Sequence, residues 1–378
     1  MLPPVWVRRL VIAPLVVLLA VLMFTTLPVW LLLALAASPL VPGHLRVPRL
    51  AFLALVYLVW DAAALVCLAV LWFASGFGWK IRSAAFQRAH YVLTGRFLGV
   101  LFWLAEWSLH LTVDIVGTDP DTGMPGRPEI VVSRHAGPGD SFILIHGLVN
   151  WFDREPRIVL KAALQWDPAV DILLNRLPNR FISPGHTHTR SLEQEISDLA
   201  TGLDDNDAFV IFPEGGNFTP RRRIRAIAFL RDRGMDDIAA RAEGLRNVLP
   251  PKPTGLFTAI DAAPDAGVIF CAHTGLDRMI TVGDVWRELP MDKQLVMRFW
   301  SVPPEEIPAE RGGARALALR LVGAHRRLDR GEQAAAPAAR HRLDGAAPGG
   351  SLRRTARRRD PEVGVSRPGW CTGCPAPR

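Results

Sequence analysis

The chain has 378 residues, enough for two domains or for one domain with appendages, and 49% of them are hydrophobic. Net charge is +8, but from Arg311 onward there are 15 arginines against 5 acidic residues, a local +10 that leaves residues 1–310 at −2. The body is near neutral overall, with the basic charge confined to one end, and no nucleic-acid partner is expected. Cys371 and Cys374 form a lone C-x2-C without the two further ligands a zinc site needs.

The hydrophobic residues are concentrated at the start. Leu10 to Ala37 carries no charged side chain, and Leu50 to Trp79 carries one, Asp61. Each run exceeds the roughly 20 apolar residues that cross a bilayer. Arg8 and Arg9 before the first run could also announce a signal peptide, but the run is longer than the ~7–15 residues of a signal core, and a second follows at once. Residues 1–80 therefore read as a transmembrane hairpin. Basic residues flank it at Arg8, Arg9, Arg46, Arg49, Lys80, Arg82 and Arg88, a modest bias that places everything after it in the cytoplasm at the cell membrane. Asp61 is either a functional intramembrane carboxylate or a bland one. In the bland case the second span starts later, or Asp61 pairs with Arg46 or Arg49.

Residues 81–110 repeat Phe86, Leu93, Phe97, Val100, Leu101 and Leu104 at helical spacing, with arginines between them. An interfacial helix and a helix packed on the next domain fit this pattern equally. From Leu111 the texture changes. Strand-like runs at 111–116, 129–133, 157–160, 180–182, 208–212, 268–272 and 295–300 alternate with helical stretches such as 191–202 and 222–233. The expected architecture over 111–310 is α/β, a mostly parallel sheet flanked by helices. Residues 311–378 read as a terminal helix near 314–327 followed by a basic, Ala-, Gly- and Pro-rich tail too poor in apolar residues to fold, of a kind that binds anionic lipid or nucleic acid electrostatically or is simply solvated.

The residues that carry chemistry stand just past strand ends, where open α/β sheets place their sites. His135 and Asp140, in Ser-Arg-His-Ala-Gly-Pro-Gly-Asp, follow the strand-like 129–133 and precede a helical 141–149. Phe212-Pro213-Glu214-Gly215 likewise leaves an apolar strand. A histidine with an aspartate five positions on is a weak signal by itself. The two motifs together are a strong one.

With H-x4-D followed by F-P-E-G, the sequence resembles the glycerolipid acyltransferases of the lysophosphatidate acyltransferase superfamily. Asn217-Phe-Thr-Pro220 and Asn247-Val-Leu-Pro-Pro-Lys-Pro-Thr-Gly255 resemble elements of its long-form subgroup, which includes the lysocardiolipin acyltransferases. The resemblance spans roughly residues 112–308. It implies that 111–310 is an acyltransferase catalytic domain, that a fatty acyl group passes from acyl-CoA or acyl-carrier protein to a hydroxyl of a lysophospholipid, and that no cofactor is needed. Membrane lipids and the acyl donor are its implied partners.

The residues suit that chemistry. Histidine titrates near neutral pH and can take a proton from the acceptor hydroxyl, and a carboxylate can orient it and stabilise the imidazolium. Gly137-Pro138-Gly139 favours a tight turn folding Asp140 back toward His135, and Asp140 can also cap a helix. No G-x-S-x-G and no adjacent cysteine offers a nucleophile, which favours direct attack by the acceptor. Glu214 and Gly215 correspond to the acceptor-binding part of F-P-E-G. The family reads E-G-T-R there, and this chain reads Glu-Gly-Gly-Asn, so the phosphate-binding arginine is missing at Asn217. Arg180, Arg221, Arg222 and Arg223 are the available replacements; the triple arginine is equally a solvated helix start. The departure leaves a glycolipid or other alcohol acceptor open, or a lipid-binding protein that has lost activity. A metal-dependent hydrolase built on His135 and Asp140 is a third reading. His186 and His188 alternate on a loop without further metal ligands nearby, so no metal site is expected.

Overall fold

In the computed structural model the described residues are 2–40, 45–116, 124, 126–134, 138–182, 191–216, 218–244, 248–250, 252–275, 283, 286–287, 293–307 and 339–341. Two apolar helices open the chain. Helix α1 (Val5–Thr25) contains a π-helical turn over Arg8–Ile12, and α2 (Leu27–Ala37) follows a break at Thr26. Pro28 accounts for the break, because proline fits a helix's first turn but cannot donate to the turn before it. The single apolar run read from Leu10 to Ala37 is thus two helices. The stretches long and apolar enough to cross a bilayer are Val5–Thr25 and α3 (Arg46–Ala74).

Helix α3 packs on the body of the protein as well as on α1. Ala13 of α1 clusters with Ala64, Leu65 and Leu68 of α3 and with Ala169 of α6 (Pro168–Arg176). Asp61 does not take Arg46 or Arg49 as its partner. It is buried and hydrogen-bonded to Asp167, the N-cap of α6, which also accepts from the Tyr57 hydroxyl. The carboxyl is tolerated in an apolar helix because it faces the protein interior and a polar partner.

Helix α4 (Ala84–Leu109) packs one face on the body. Tyr91, Leu98 and Phe102 are buried, while Val92, Val100, Trp103 and Trp107 are exposed. Its Gly95 lets α5 (Pro138–Asn150) approach closely, and Asn150 donates to the Gly95 carbonyl at 3.0 Å. A Cβ on Gly95 would lie 2.8 Å from that Asn150 side chain.

The strands are β1 (Thr112–Val116), β2 (Glu129–Ser133), β3 (Glu155–Lys161), β4 (Arg180–Ile182), β5 (Asp207–Ile211), β6 (Gly267–Thr274), β7 (Gln294–Val302) and β8 (Ala339–His341). They form one sheet in the order β4-β3-β5-β2-β6-β7-β1-β8. Among the described strands, the β6–β7 and β1–β8 pairs are antiparallel and the others parallel. The fold is α/β with a mostly parallel sheet, as read from the sequence. In the basic tail, 339–341 add an edge strand, and the rest of 311–378 lies outside the described residues.

Helices cover both faces, so the central strands are apolar throughout rather than alternating. Val131, Val210 and Ile269 face α4 and α5. Ile130, Phe209 and Phe270 face α7 (Leu192–Ala200) and α10 (Pro253–Ala262). Between these two helices in the chain lie α8 (Pro220–Asp232) and α9 (Asp236–Glu243), joined by a small cluster of Ile227, Ala239, Ala242 and Val248. Buried ion pairs gather at the amino ends of the strands: Arg154 with Glu129 at 2.5 Å, and Arg157 with Asp207. Burial raises the Asp207 carboxyl above its usual range, against the opposing pull of hydrogen bonds and Arg157. The opposite, carboxyl edge holds the motifs.

Candidate active site

Strands β2 and β5 are parallel neighbours with Val132 opposite Ile211. The chain leaving β2 through Arg134 and the chain leaving β5 through Phe212 therefore emerge side by side at one edge of the sheet. This juxtaposes two motifs about 75 residues apart in sequence, and it follows from the crossover that a parallel pair requires.

Arg134 is fully buried and tied to the end of β6. Its Nη1 donates to the His273 carbonyl at 3.0 Å, and His273 Nε2 donates to the Arg134 carbonyl at 3.2 Å. His135 follows next in the chain and lies outside the described residues, as do Ala136 and Gly137. Helix α5 begins at Pro138, a residue pre-set for a first helical position, so Pro138 and Gly139 belong to the helix and not to a turn. Asp140 is its third residue rather than its N-cap, and its side chain lies outside the described set.

Glu214 is buried, and its Oε2 accepts the Leu249 backbone N–H at 3.0 Å. The next residue, Gly215, has φ +67°, a left-handed conformation that favours glycine. Lys252 N donates to the Pro213 carbonyl at 2.8 Å, so the segment leading into α10 runs directly against this turn. Two cations overlie the glycine pair. A Cβ on Gly215 would stand 3.5 Å from Lys252 Nζ, and one on Gly216 would stand 2.8 Å from Arg222 Nη1.

The turn opens into an apolar cavity of about 460 Å³. Its walls come from the start of α5 (Ser141, Phe142, Ile145), from β3 and β5, and from Gly215 and Gly216. They also come from α6 and from the leading helices, through Trp60, Ala64 and Leu68 of α3 and Leu93 and Phe97 of α4. Tyr91 lines it with its hydroxyl turned away to the Pro156 carbonyl at 3.1 Å, and burial pushes that phenol up. Among the described residues, the charged ones in the lining are Lys161 and Lys252. A mostly apolar space with lysines in its lining suits an anionic amphiphile, and its size is within the roughly 300–1,000 Å³ of ligand pockets.

The expected arginines take up different positions. Arg180 is exposed and paired with Glu195 of α7 at 3.2 Å. Arg221 is exposed on the first turn of α8. Arg223 donates to the Glu243 carbonyl at 2.6 Å. Arg222 alone among the four stands over the Glu214 turn. Sequence reasoning passed over Lys161 and Lys252. The signal was present for Lys252, a lone cation between two prolines in the element quoted with the F-P-E-G box. Asn217, His186, His188, Cys371 and Cys374 lie outside the described residues. Among the described residues, no group of three or more His, Cys, Asp or Glu is placed to hold a metal.

Residues 116–274 match the acyltransferase family model. The matched segment begins with the end of β1 and closes with β6, so it contains both motif strands, β3 and the helices between them. It supports an acyltransferase-type domain over that stretch. No curated protein sequence matches the chain. Among solved structures, the chain is similar to the 1-acyl-sn-glycerophosphate (LPA) acyltransferase PlsC from Thermotoga maritima, with 15% identity and a TM-score of 0.46. The similarity covers 74% of this chain and 97% of that one.

Proposed function

We propose that this protein is a membrane-attached O-acyltransferase that transfers a fatty acyl group from acyl-CoA or acyl-carrier protein to a hydroxyl of a lysophospholipid such as 1-acylglycerol-3-phosphate. The observation that carries this reading is the cavity: apolar along its length, with two lysines in its lining, and bounded by the turn after β5 and the start of α5. An acyl chain fits the apolar part. The phosphate of the acceptor fits the cationic part, where Lys252 and Arg222 flank Gly215 and Gly216.

In the reaction the acceptor hydroxyl oxygen attacks the thioester carbonyl, its proton passes to the imidazole of His135, and the C–S bond breaks as the thiolate leaves. The imidazolium returns the proton to the sulfur. Asp140 orients the ring and stabilises its cation. Glu214 shapes the acceptor side of the pocket through its bond to Leu249. Helices α1 and α3 hold the site at the cytoplasmic face of the membrane, where lipid acceptor and soluble donor meet.

The test is to incubate membranes containing the protein with labelled acyl-CoA and a panel of lyso-lipids, alongside His135→Ala. Acylation of an anionic lysophospholipid that disappears in a folded His135→Ala protein is the expected result. Equal turnover in His135→Ala would overturn the mechanism. Product from an uncharged glycolipid alone would overturn the acceptor class, and loss of turnover on adding a chelator would favour metal-assisted hydrolysis.

A further inference from the structure

A second group of basic residues lies at the seam between the leading helices and the body. Arg8, in the π-helical turn of α1, is 5% exposed, and its Nη2 stands 3.3 Å from Asp171 Oδ1. Arg9 Nε donates to Asp171 Oδ2 at 3.1 Å from a half-exposed position. Asn175 Nδ2 donates to Asp171 Oδ1 at 3.1 Å and to its carbonyl at 2.7 Å. One turn of α6 further on, Arg176 Nη1 donates to the Leu68 carbonyl of α3 at 2.7 Å and to His90 Nε2 at 3.3 Å. His90 receives no charge in this arrangement, since its Nδ1–H is committed to the Phe86 carbonyl.

The charges do not balance. Arg8 and Arg9 share the single carboxylate of Asp171, which Asn175 also occupies, while Arg176 is held by a carbonyl and a neutral imidazole. Two buried nitrogens of Arg8, Nε and Nη1, have no hydrogen-bond partner. Burial, and then the nearby positive charge of Arg9, push the Arg176 guanidinium down to about 10, so the arginines already repel one another across the seam. Buried N–H donors of a cation left without an acceptor are costly, and the chemistry that satisfies them is a multidentate oxyanion.

The depth of the cluster indicates what carries that oxyanion. Leu68 lies one helical turn before Trp72, where α3 ends in a set of stacked edge-on aromatics, Trp72, Phe73 and Phe77. Trp79 follows, 86% exposed, with Lys80 over its ring. Exposed aromatics with a lysine at the end of an apolar helix mark the headgroup level of a bilayer.

We infer that Arg8, Arg9 and Arg176 form a phosphate-binding site, separate from the acyltransferase cavity, whose ligand is the phosphate of an anionic membrane lipid lodged between α1 and α6. The lipid completes the seam that holds the hairpin to the catalytic body. The inference is independent of the acyltransferase reading.

The experiment uses the purified full-length protein in neutral detergent and follows its thermal transition. The probes are phosphatidylglycerol, diacylglycerol with the same tails, and inorganic phosphate. Phosphatidylglycerol should raise Tm by several degrees, and diacylglycerol should not. Arg8→Lys keeps a cation beside Asp171 but loses the spare nitrogens, so its apparent affinity for phosphatidylglycerol should fall about tenfold or more. Arg9→Gln, on the exposed side, serves the same purpose if Arg8→Lys lacks a cooperative transition. A shift that persists unchanged in both variants comes from the acyl cavity and would overturn the site. An equal shift with inorganic phosphate would assign the site to a free anion instead of a lipid, and no shift with either phosphate probe would reject it.

Discussion

Arg134 and His273 hold each other's backbone. Each side chain donates to the other residue's carbonyl, at 3.0 and 3.2 Å, across the ends of two parallel strands. The residue after Arg134 is His135, so this reciprocal pair fixes where the segment carrying the proposed base leaves the sheet. His273→Ala removes one of the two bonds and should destabilise the protein by about 1–2 kcal/mol. Because it acts through position, it should lower kcat about tenfold while leaving the acyl-donor KM near its original value. Steady-state kinetics beside a denaturation curve check this, and an unchanged kcat in the destabilised protein would reject the positioning role.

Lys252 lies over Gly215 and lines the cavity, whereas Arg180 is held by Glu195 at the surface. Lys252→Ala should therefore reduce kcat/KM for a phosphorylated acceptor by about ten- to a hundredfold, the range of a charged hydrogen bond in a partly desolvated site. Arg180→Ala should change it less than about threefold, as expected of an exposed ion pair. Parallel assays with phosphorylated and unphosphorylated acceptors read the difference. A larger loss in Arg180→Ala than in Lys252→Ala would reverse the assignment.

Ala64, Leu68, Ala169 and Leu173 line the cavity from α3 and α6, away from the motif-bearing turns in the chain. Ala64→Phe fills that part without touching the motifs. Its kcat/KM for long-chain acyl donors should fall about tenfold relative to short-chain donors, since each methylene that no longer fits forfeits roughly 1 kcal/mol. A chain-length series of acyl donors measures it. A uniform loss across the series would mean that the cavity does not hold the acyl chain.

His90 is buried, and desolvation, with Arg176 beside it, lowers its pKa below the ordinary value of 6.5. A histidine that is harder to protonate when folded leaves stability untouched above pH 6.5. As pH falls through that value the unfolded chain takes up the proton first, and stability drops by at most about 1.4 kcal/mol per pH unit for one group. His90→Asn can keep the bond to the Phe86 carbonyl without a titrating ring. The variant should lose less stability than the parent between pH 6.5 and pH 5 in denaturant titrations. Equal losses would assign the acid sensitivity to other groups.

The sheet was legible because central strands covered on both faces must be apolar runs, and the seven runs read from 111–300 all coincide with β1 to β7 to within two residues at each end. Boundaries slipped where local chemistry outweighed composition. Pro28 divides an apolar run that has no polar residue to mark the break. Pro138 starts α5 earlier than the glycines around it suggest. Partners were the least legible feature. Asp61 meets Asp167, and Lys252 meets the Glu214 turn, across distances in sequence that only the packing of α6 and α10 closes. Adjacent arginines at 221–223 looked like a natural phosphate grip, yet helical geometry sends them in different directions, and one ends on the carbonyl of Glu243.

Trp60, Ala64 and Leu68 belong to the helix that would conventionally be called an anchor, and they are also cavity wall. Under the proposed function, attachment and ligand room would then be one inheritance. A hairpin borrowed from another protein would keep an apolar lead but unroof the cavity. Substitutions that drift through an apolar helix, ordinarily silent so long as they stay greasy, would on that reading alter which acyl chains the site accepts.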